Sequence, residues 1–198
     1  MNSFGSLLAD ALPWCLFAYL AGSVLIAPIV CRAHVLPSPW HHGSGNPGAT
    51  NVYRLGGAWP ATQTLFGDAA KATIPIWVAQ AVDVSFAVQV LMGLSAVIGH
   101  MRPPWHRRGG GKGVATTLGV GIALAPATIF TLGLLWCIIV WRTRTSSIGS
   151  ITTAILAPLI ALWLNPETLG LFVPLSLLML YRHRDNLARL RQGDENRL

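Results

Sequence analysis

VATTLGVGIALAPATIFTLGLLWCIIVW, residues Val114–Trp141, is the stretch on which the fold turns. It is apolar almost throughout, and an α-helix crosses a bilayer with about 20 such residues. The run is too long for one ordinary span, and Pro126 lies near its middle. Proline lacks the N–H and clashes with the preceding turn, so it ends or kinks a helix. One steeply tilted helix and two short ones both fit the length. Charge decides between them. Arg142 and Arg144 follow the run, and two crossings keep them on the same side as every other basic loop. Loops rich in Lys and Arg stay cytoplasmic. The sequence therefore predicts two helices meeting near Pro126.

The rest of the chain agrees in kind. Hydrophobic residues make up 53% and charged residues 11% of 198 residues. A soluble domain carries about 25% charged residues. The mean hydropathy of +0.53 belongs with an integral membrane protein. A net charge of +7 first suggests a nucleic-acid partner. The basic residues, however, stand at the ends of apolar runs and not on one polar face, which excludes that class. Cys15, Cys31 and Cys137 lie in or beside apolar runs without metal spacing and read as small core residues. The six histidines are scattered too, so no metal is expected.

Further spans are predicted at Ala11–Val30, Ala58–Gln80, Val84–Ile98, Ile148–Leu164 and Leu169–Tyr181. No basic residue precedes Arg32, so the first run reads as a retained span and not a cleaved signal. The result is an all-α integral membrane protein of seven transmembrane helices in one domain, residues 1–198. Its N-terminus is outside and its C-terminus cytoplasmic. Thirteen of the 14 basic residues then fall inside, and the remaining one is Lys71 within a span. Asp68 and Lys71 are three apart and share a helix face. Charge at membrane depth is costly, so they pair with each other or line a polar cavity.

Three polar stretches share the predicted cytoplasmic face. The first is Ser44-Gly45-Asn46-Pro47-Gly48-Ala49-Thr50-Asn51-Val52-Tyr53-Arg54. Its glycines allow backbone N–H groups to converge as an anion nest. Ser44, Asn46, Thr50 and Asn51 add side-chain donors, and Arg54 adds a fork that matches phosphate. The same composition also suits an ordinary turn. The second is Gly109-Gly110-Gly111-Lys112-Gly113-Val114, a glycine loop opening a helix, where free N–H groups and a dipole favour an anion. It is not a P-loop, since Gly113 stands where Ser or Thr is required. The third runs from His183 to Glu195, with His183 and Asn186 on one helical face.

Together the three stretches resemble the bacterial membrane glycerol-3-phosphate acyltransferases that use acyl phosphate as donor. Gly43 to Arg54, Gly110 to Thr116 and His183 to Glu195 match that family's three motifs in order. Asp68/Lys71, Gly99-His100 and Ser147-Ile148-Gly149-Ser150 are similar as well. Leu187 and Arg191 replace the usual aliphatics, and Met101–Arg108 is more basic and proline-rich than is usual.

The resemblance implies seven helices with the N-terminus outside, in the plasma (inner) membrane. It implies acyl transfer from acyl phosphate to the 1-hydroxyl of glycerol 3-phosphate, without cofactor or acyl-enzyme. Arg54 and Lys112 would bind phosphate by charge. Ser44, Gly45, Asn46, Gly48, Thr50 and Asn51 would form one cradle, and Gly110, Gly111 and Gly113 the other. His183 and Asn186 would orient a substrate at the catalytic centre with Lys112, Ser147 would assist, and Glu195 would fix local structure. The partners implied are both substrates and membrane lipids, with a monomeric chain. The opposing reading is a small-anion or lipid-phosphate transporter. Transporters often carry two repeated halves, and no internal repeat is visible.

This topology is testable. Single cysteines introduced near Gly45, Gly110 and Gly193 are expected to share one sidedness, protected from impermeant label in intact cells. Labelling of any of the three from outside contradicts seven spans.

Overall fold

The structure, a computed structural model, describes residues 4–198, with side chains from Asp10 onward. The N-terminal residue, which the charge pattern puts outside, lies beyond the described residues. Among these there are ten α-helices, one 3-10 turn and no strand. The chain packs as two compact units, residues 1–124 and 125–198.

The first unit holds α1 (Phe4–Ser23), α2 (Ile26–Ala33), α3 (Ala49–Gly56), α4 (Ala58–Ala81), α5 (Phe86–Met101) and α6 (Val114–Leu124). The run expected as one helix over Ala11–Val30 is broken at Val24–Leu25, where Leu25 is extended with ψ 116°. A break inside an apolar segment leaves carbonyls that lipid cannot satisfy. Here the Ser23 carbonyl accepts from Trp105 Nε1 at 3.1 Å and the Val24 carbonyl from Lys71 Nζ at 2.6 Å. Polar groups of the loop after α5 and of α4 therefore hold the break open.

Small residues set the helix contacts of this unit. Gly22 of α1 faces the backbone of Ala96 in α5 so closely that a Cβ would collide with it. Ala18 and Ala96 are fully buried. Without a hydrophobic drive between helices in lipid, close backbone approach supplies the packing energy. On the other side of α4, Thr73 Oγ1 donates to the Gly119 carbonyl of α6 at 2.8 Å.

The second unit holds α7 (Pro126–Thr143), α8 (Ser146–Leu164), a 3-10 turn (Pro166–Thr168), α9 (Leu169–Arg182) and α10 (Arg184–Gln192). The run Val114–Trp141 divides at Ala125, whose φ −151° and ψ 62° are not helical, with Pro126 first in α7. A residue before proline is pushed out of the helical region, and proline suits the first helical position. α7 and α8 form an antiparallel hairpin. Thr128 Oγ1 bonds Asn165 Oδ1 at 3.0 Å at one end, and Trp136 Nε1 bonds Ser150 Oγ at 3.1 Å towards the other.

Among the described residues, three segments are long and apolar enough to cross a membrane: Asp10–Ala33, Pro126–Thr143 and Ser146–Leu164. Large apolar side chains face outward along the helices, Trp163 at 89% and Leu12 at 70% exposure among them. An apolar surface on this scale is the mark of a lipid-facing exterior. Cys31 is buried, but Cys137 is exposed on α7, so it joins that surface and not the core.

Gly22→Val is expected to force α1 and α5 apart, because the colliding atoms on α5 are backbone and cannot rotate away. Overpacking costs about 1–3 kcal/mol. A detergent-solubilised variant should melt several degrees below the parent; an unchanged melting temperature would show that the contact is not tight.

Candidate functional site

In the first unit the chain between α2 and α3 is organised by Asn51. Its Oδ1 accepts from the Ser44 N–H at 2.8 Å, and its Nδ2 donates to the Pro39 and His42 carbonyls at 2.9 and 3.0 Å. Both amide hydrogens are thus engaged by the loop, and the residue is 1% exposed. Asn51 builds the turn that presents Ser44, Gly45 and Asn46; its amide does not point at a ligand. Gly43 has φ 62°, and Asn51 Oδ1 fills the space a Cβ would take. α3 starts after Gly48, whose carbonyl receives the Asn51 and Val52 N–H groups. Thr50 lies in its first turn and Arg54 in its last.

The glycine loop before α6 comes up against this turn. Trp40 Nε1 donates to the Gly109 carbonyl at 3.2 Å, and the Trp40 and His106 rings lie 5.3 Å apart. Gly110 donates its N–H to the Met101 carbonyl at 3.2 Å. At Gly111 an added Cβ would strike the His100 imidazole at Nε2 and would meet the Pro47 carbonyl. Gly110 and Gly111 are both buried. They are glycines here because the loop is pressed between α5 and the first motif. Lys112 and Gly113 follow, immediately before the first residue of α6.

Beneath the two loops lies a buried polar chain. Lys71 Nζ is 2.7 Å from Asp68 Oδ1, 2.6 Å from the Val24 carbonyl and 2.8 Å from His100 Nδ1. The Val24 and His100 contacts are hydrogen bonds, and Asp68 supplies the opposite charge. Asp68 and Lys71 therefore do pair, and sequence reading missed His100 as their third member.

The second unit gathers its polar residues on Glu195. Ser147 Oγ donates to Oε1 at 2.9 Å, Asn186 Nδ2 donates to the same oxygen, and Arg189 Nε donates to Oε2 at 2.8 Å. Burial pushes the Glu195 carboxyl up, but hydrogen bonds from Asn186, Ser147 and Arg189, with the Arg189 charge, outweigh it and hold the group below the usual glutamate range. His183 joins α9 to α10 and is 2% exposed. Its Nδ1 lies 2.8 Å from the Met179 carbonyl, which can only accept. The Nδ1 proton is thereby assigned, and a neutral ring presents its lone pair at Nε2.

Sequence-selected residues thus form two groups. Ser44 to Gly48 and Gly109 to Lys112 meet in the first unit. Ser147 and Asn186 meet on Glu195 in the second, next to buried His183. Among the described residues no group of His, Cys, Asp and Glu is arranged to hold a metal.

Apolar helices that turn large side chains outward and collect their polar groups in loops define an integral membrane protein with a polar site at helix ends. Comparison with known proteins gives the particular family. A family model described as glycerol-3-phosphate acyltransferase matches residues 12–193, and the chain belongs to this family. It is 50% identical to a glycerol-3-phosphate acyltransferase of Hahella chejuensis over 91% of this chain and 93% of that one. One from Chromohalobacter salexigens is 44% identical over 91% and 88% of the two chains. Among solved structures, PlsY (YgiH), an integral membrane glycerol 3-phosphate acyltransferase in its glycerol 3-phosphate form, aligns with a TM-score of 0.86 at 35% identity, covering 96% of both chains. The lysophosphatidic acid form aligns with a TM-score of 0.85.

Glu195→Gln should weaken the hub, since an amide leaves Arg189 without its charged partner. A group whose folded pKa is depressed stabilises above its unfolded value and loses that contribution as pH falls through the folded one. The parent's melting temperature should therefore drop as pH is lowered below the ordinary glutamate value of about 4.3. The variant should melt lower at neutral pH, by roughly the 1–3 kcal/mol of a buried polar group left unsatisfied, and show a flatter profile. A variant with the parent's profile would remove Glu195 from that role.

Proposed function

We propose that this acyltransferase moves a fatty acyl group from acyl phosphate to the 1-hydroxyl of glycerol 3-phosphate, the first acylation in making phospholipid. The products are 1-acylglycerol 3-phosphate and inorganic phosphate. The supporting observation is the contact of two glycine-rich loops through Trp40–Gly109 and Pro47–Gly111. Two phosphate-bearing substrates call for two such cradles side by side. PlsY in glycerol 3-phosphate and lysophosphatidic acid forms fits the same substrate and product.

In this reading the whole chain is one catalytic domain with seven spans in the bacterial plasma (inner) membrane. The site faces the cytoplasm, where both substrates are reached. Arg54 and Lys112 supply charge to the phosphates. Ser44, Gly45, Asn46, Gly48 and Thr50 line one cradle, with Asn51 as its support; Gly110, Gly111 and Gly113 line the other. The glycerol oxygen attacks the acyl carbonyl, and the C–O bond to phosphate breaks with phosphate as leaving group. Holding two anions in attack geometry and stabilising the oxyanion are the main tasks, because the mixed anhydride is already activated. His183 and Asn186 orient the substrates, and Ser147 assists through the Glu195 hub. The hydroxyl proton passes to the departing phosphate, with His183 Nε2 as the alternative acceptor. No cofactor or metal enters, and a monomer suffices.

Purified protein supplied with labelled glycerol 3-phosphate is expected to turn over acyl phosphate and to give little or no product with acyl-CoA. Efficient use of acyl-CoA without turnover of acyl phosphate reverses the donor assignment.

A further inference from the structure

His100 belongs to none of the three motifs, yet its side chain touches both the buried ion pair and the glycine loop. It lies in the last turn of α5, is 3% exposed, and has one ring nitrogen on each side of the contact. Nδ1 lies 2.8 Å from Lys71 Nζ. Asp68 Oδ1 is farther from that nitrogen, at 3.6 Å, so Lys71 is its partner. An ammonium donates and never accepts. Nδ1 is therefore the acceptor, and the ring proton is on Nε2. That nitrogen lies against Gly111, at the spot where the Pro47 carbonyl of the first motif also arrives. His100's own carbonyl crowds Gly110 in the same way. The chain Asp68–Lys71–His100 thus runs from inside the α1, α4 and α5 packing to the junction of the two loops.

We infer that His100 is a positioning residue of the acyltransferase reaction: through Lys71 and Asp68 it sets the tautomer and height of the ring on which Gly111 rests, and so the placing of the phosphate cradle. This rests on the reading of the two loops as phosphate sites. Remote misplacement of about 1 Å can lower rates by about a hundredfold, and Gly109, Gly110 and Gly111 have no side chains of their own to resist such a shift.

The two ring nitrogens do separate tasks, so two variants separate them. His100→Asn keeps an acceptor near the Nδ1 position for Lys71 but is too short to reach Gly111. His100→Gln places an amide near the Nε2 position but removes the acceptor. Melting temperature, glycerol 3-phosphate affinity by calorimetry, and kcat and KM with acyl phosphate are measured on parent and variants. His100→Asn should melt close to the parent and bind glycerol 3-phosphate about ten- to hundredfold more weakly, with KM rising more than kcat falls. His100→Gln should melt lower but hold affinity nearer the parent's. A chain that only stabilises the fold would make affinity follow melting temperature in both variants, and His100→Asn would then bind like the parent; either result overturns the inference. A parent that binds glycerol 3-phosphate but does not turn over acyl phosphate defeats the donor reading alone, and the affinities still decide the role of His100.

Discussion

A lysine ammonium inside apolar helices is tolerable only if it is paired with an opposite charge and hydrogen-bonded, and the first unit is built to meet that condition at Lys71. Its own helix supplies just one acceptor, Asp68 at i−3. The second is the Val24 carbonyl, left without a helical donor where α1 gives way to α2, four residues before Pro28. The third is His100 at the end of α5. One charge thereby fixes the break in the first span, the depth of α4 and the end of α5. Removing any partner would leave a charged group short of acceptors in a low-dielectric setting, the costly case for buried ions. The small-residue contacts of α1 with α5 then follow from bringing these backbones close.

The second unit meets a similar condition with the opposite sign. Glu195 brings a carboxylate against the ends of α8 and α10, and three donors converge on it. The arrangement ties Ser147, near the start of α8, to Asn186 and Arg189 of α10. Leu198 reinforces the tie by donating its N–H to the Arg144 carbonyl at 2.7 Å. A residue outside the helices thus fixes the relative placing of two of them, which a charged side chain can do where apolar packing is thin. His183 gains its tautomer in the same local way, from the carbonyl four residues before it.

Both buried charges hold loops and helix ends, and both leave the outward faces of the helices apolar. The loops themselves are held by backbone and amide contacts. Asn51 closes the first turn through three hydrogen bonds, and Trp40 joins that turn to Gly109. A cradle for a compact anion must be rigid before the anion arrives, since ordering it later would weaken binding.

Much of this was legible in the sequence, and the reasons are local. Apolar run length marks lipid-crossing helices, and Pro126 divides its run because a proline ring constrains the residue before it. Glycine-rich turns and the matching motif order are also one-dimensional signals, and they pointed to the family that the relatives support. What only the tertiary structure decided are contacts between distant segments. The Asn51 amide, read as a ligand donor, is engaged by its own loop. Gly110 and Gly111, read as an anion nest, are also close-packing positions under His100 and Pro47. The Val24 carbonyl, which Pro28 four residues on cannot bond, finds its partner in Lys71, 47 residues later. Residue type fixes what a side chain can donate or accept; which partner it meets depends on how helices far apart in the chain come together.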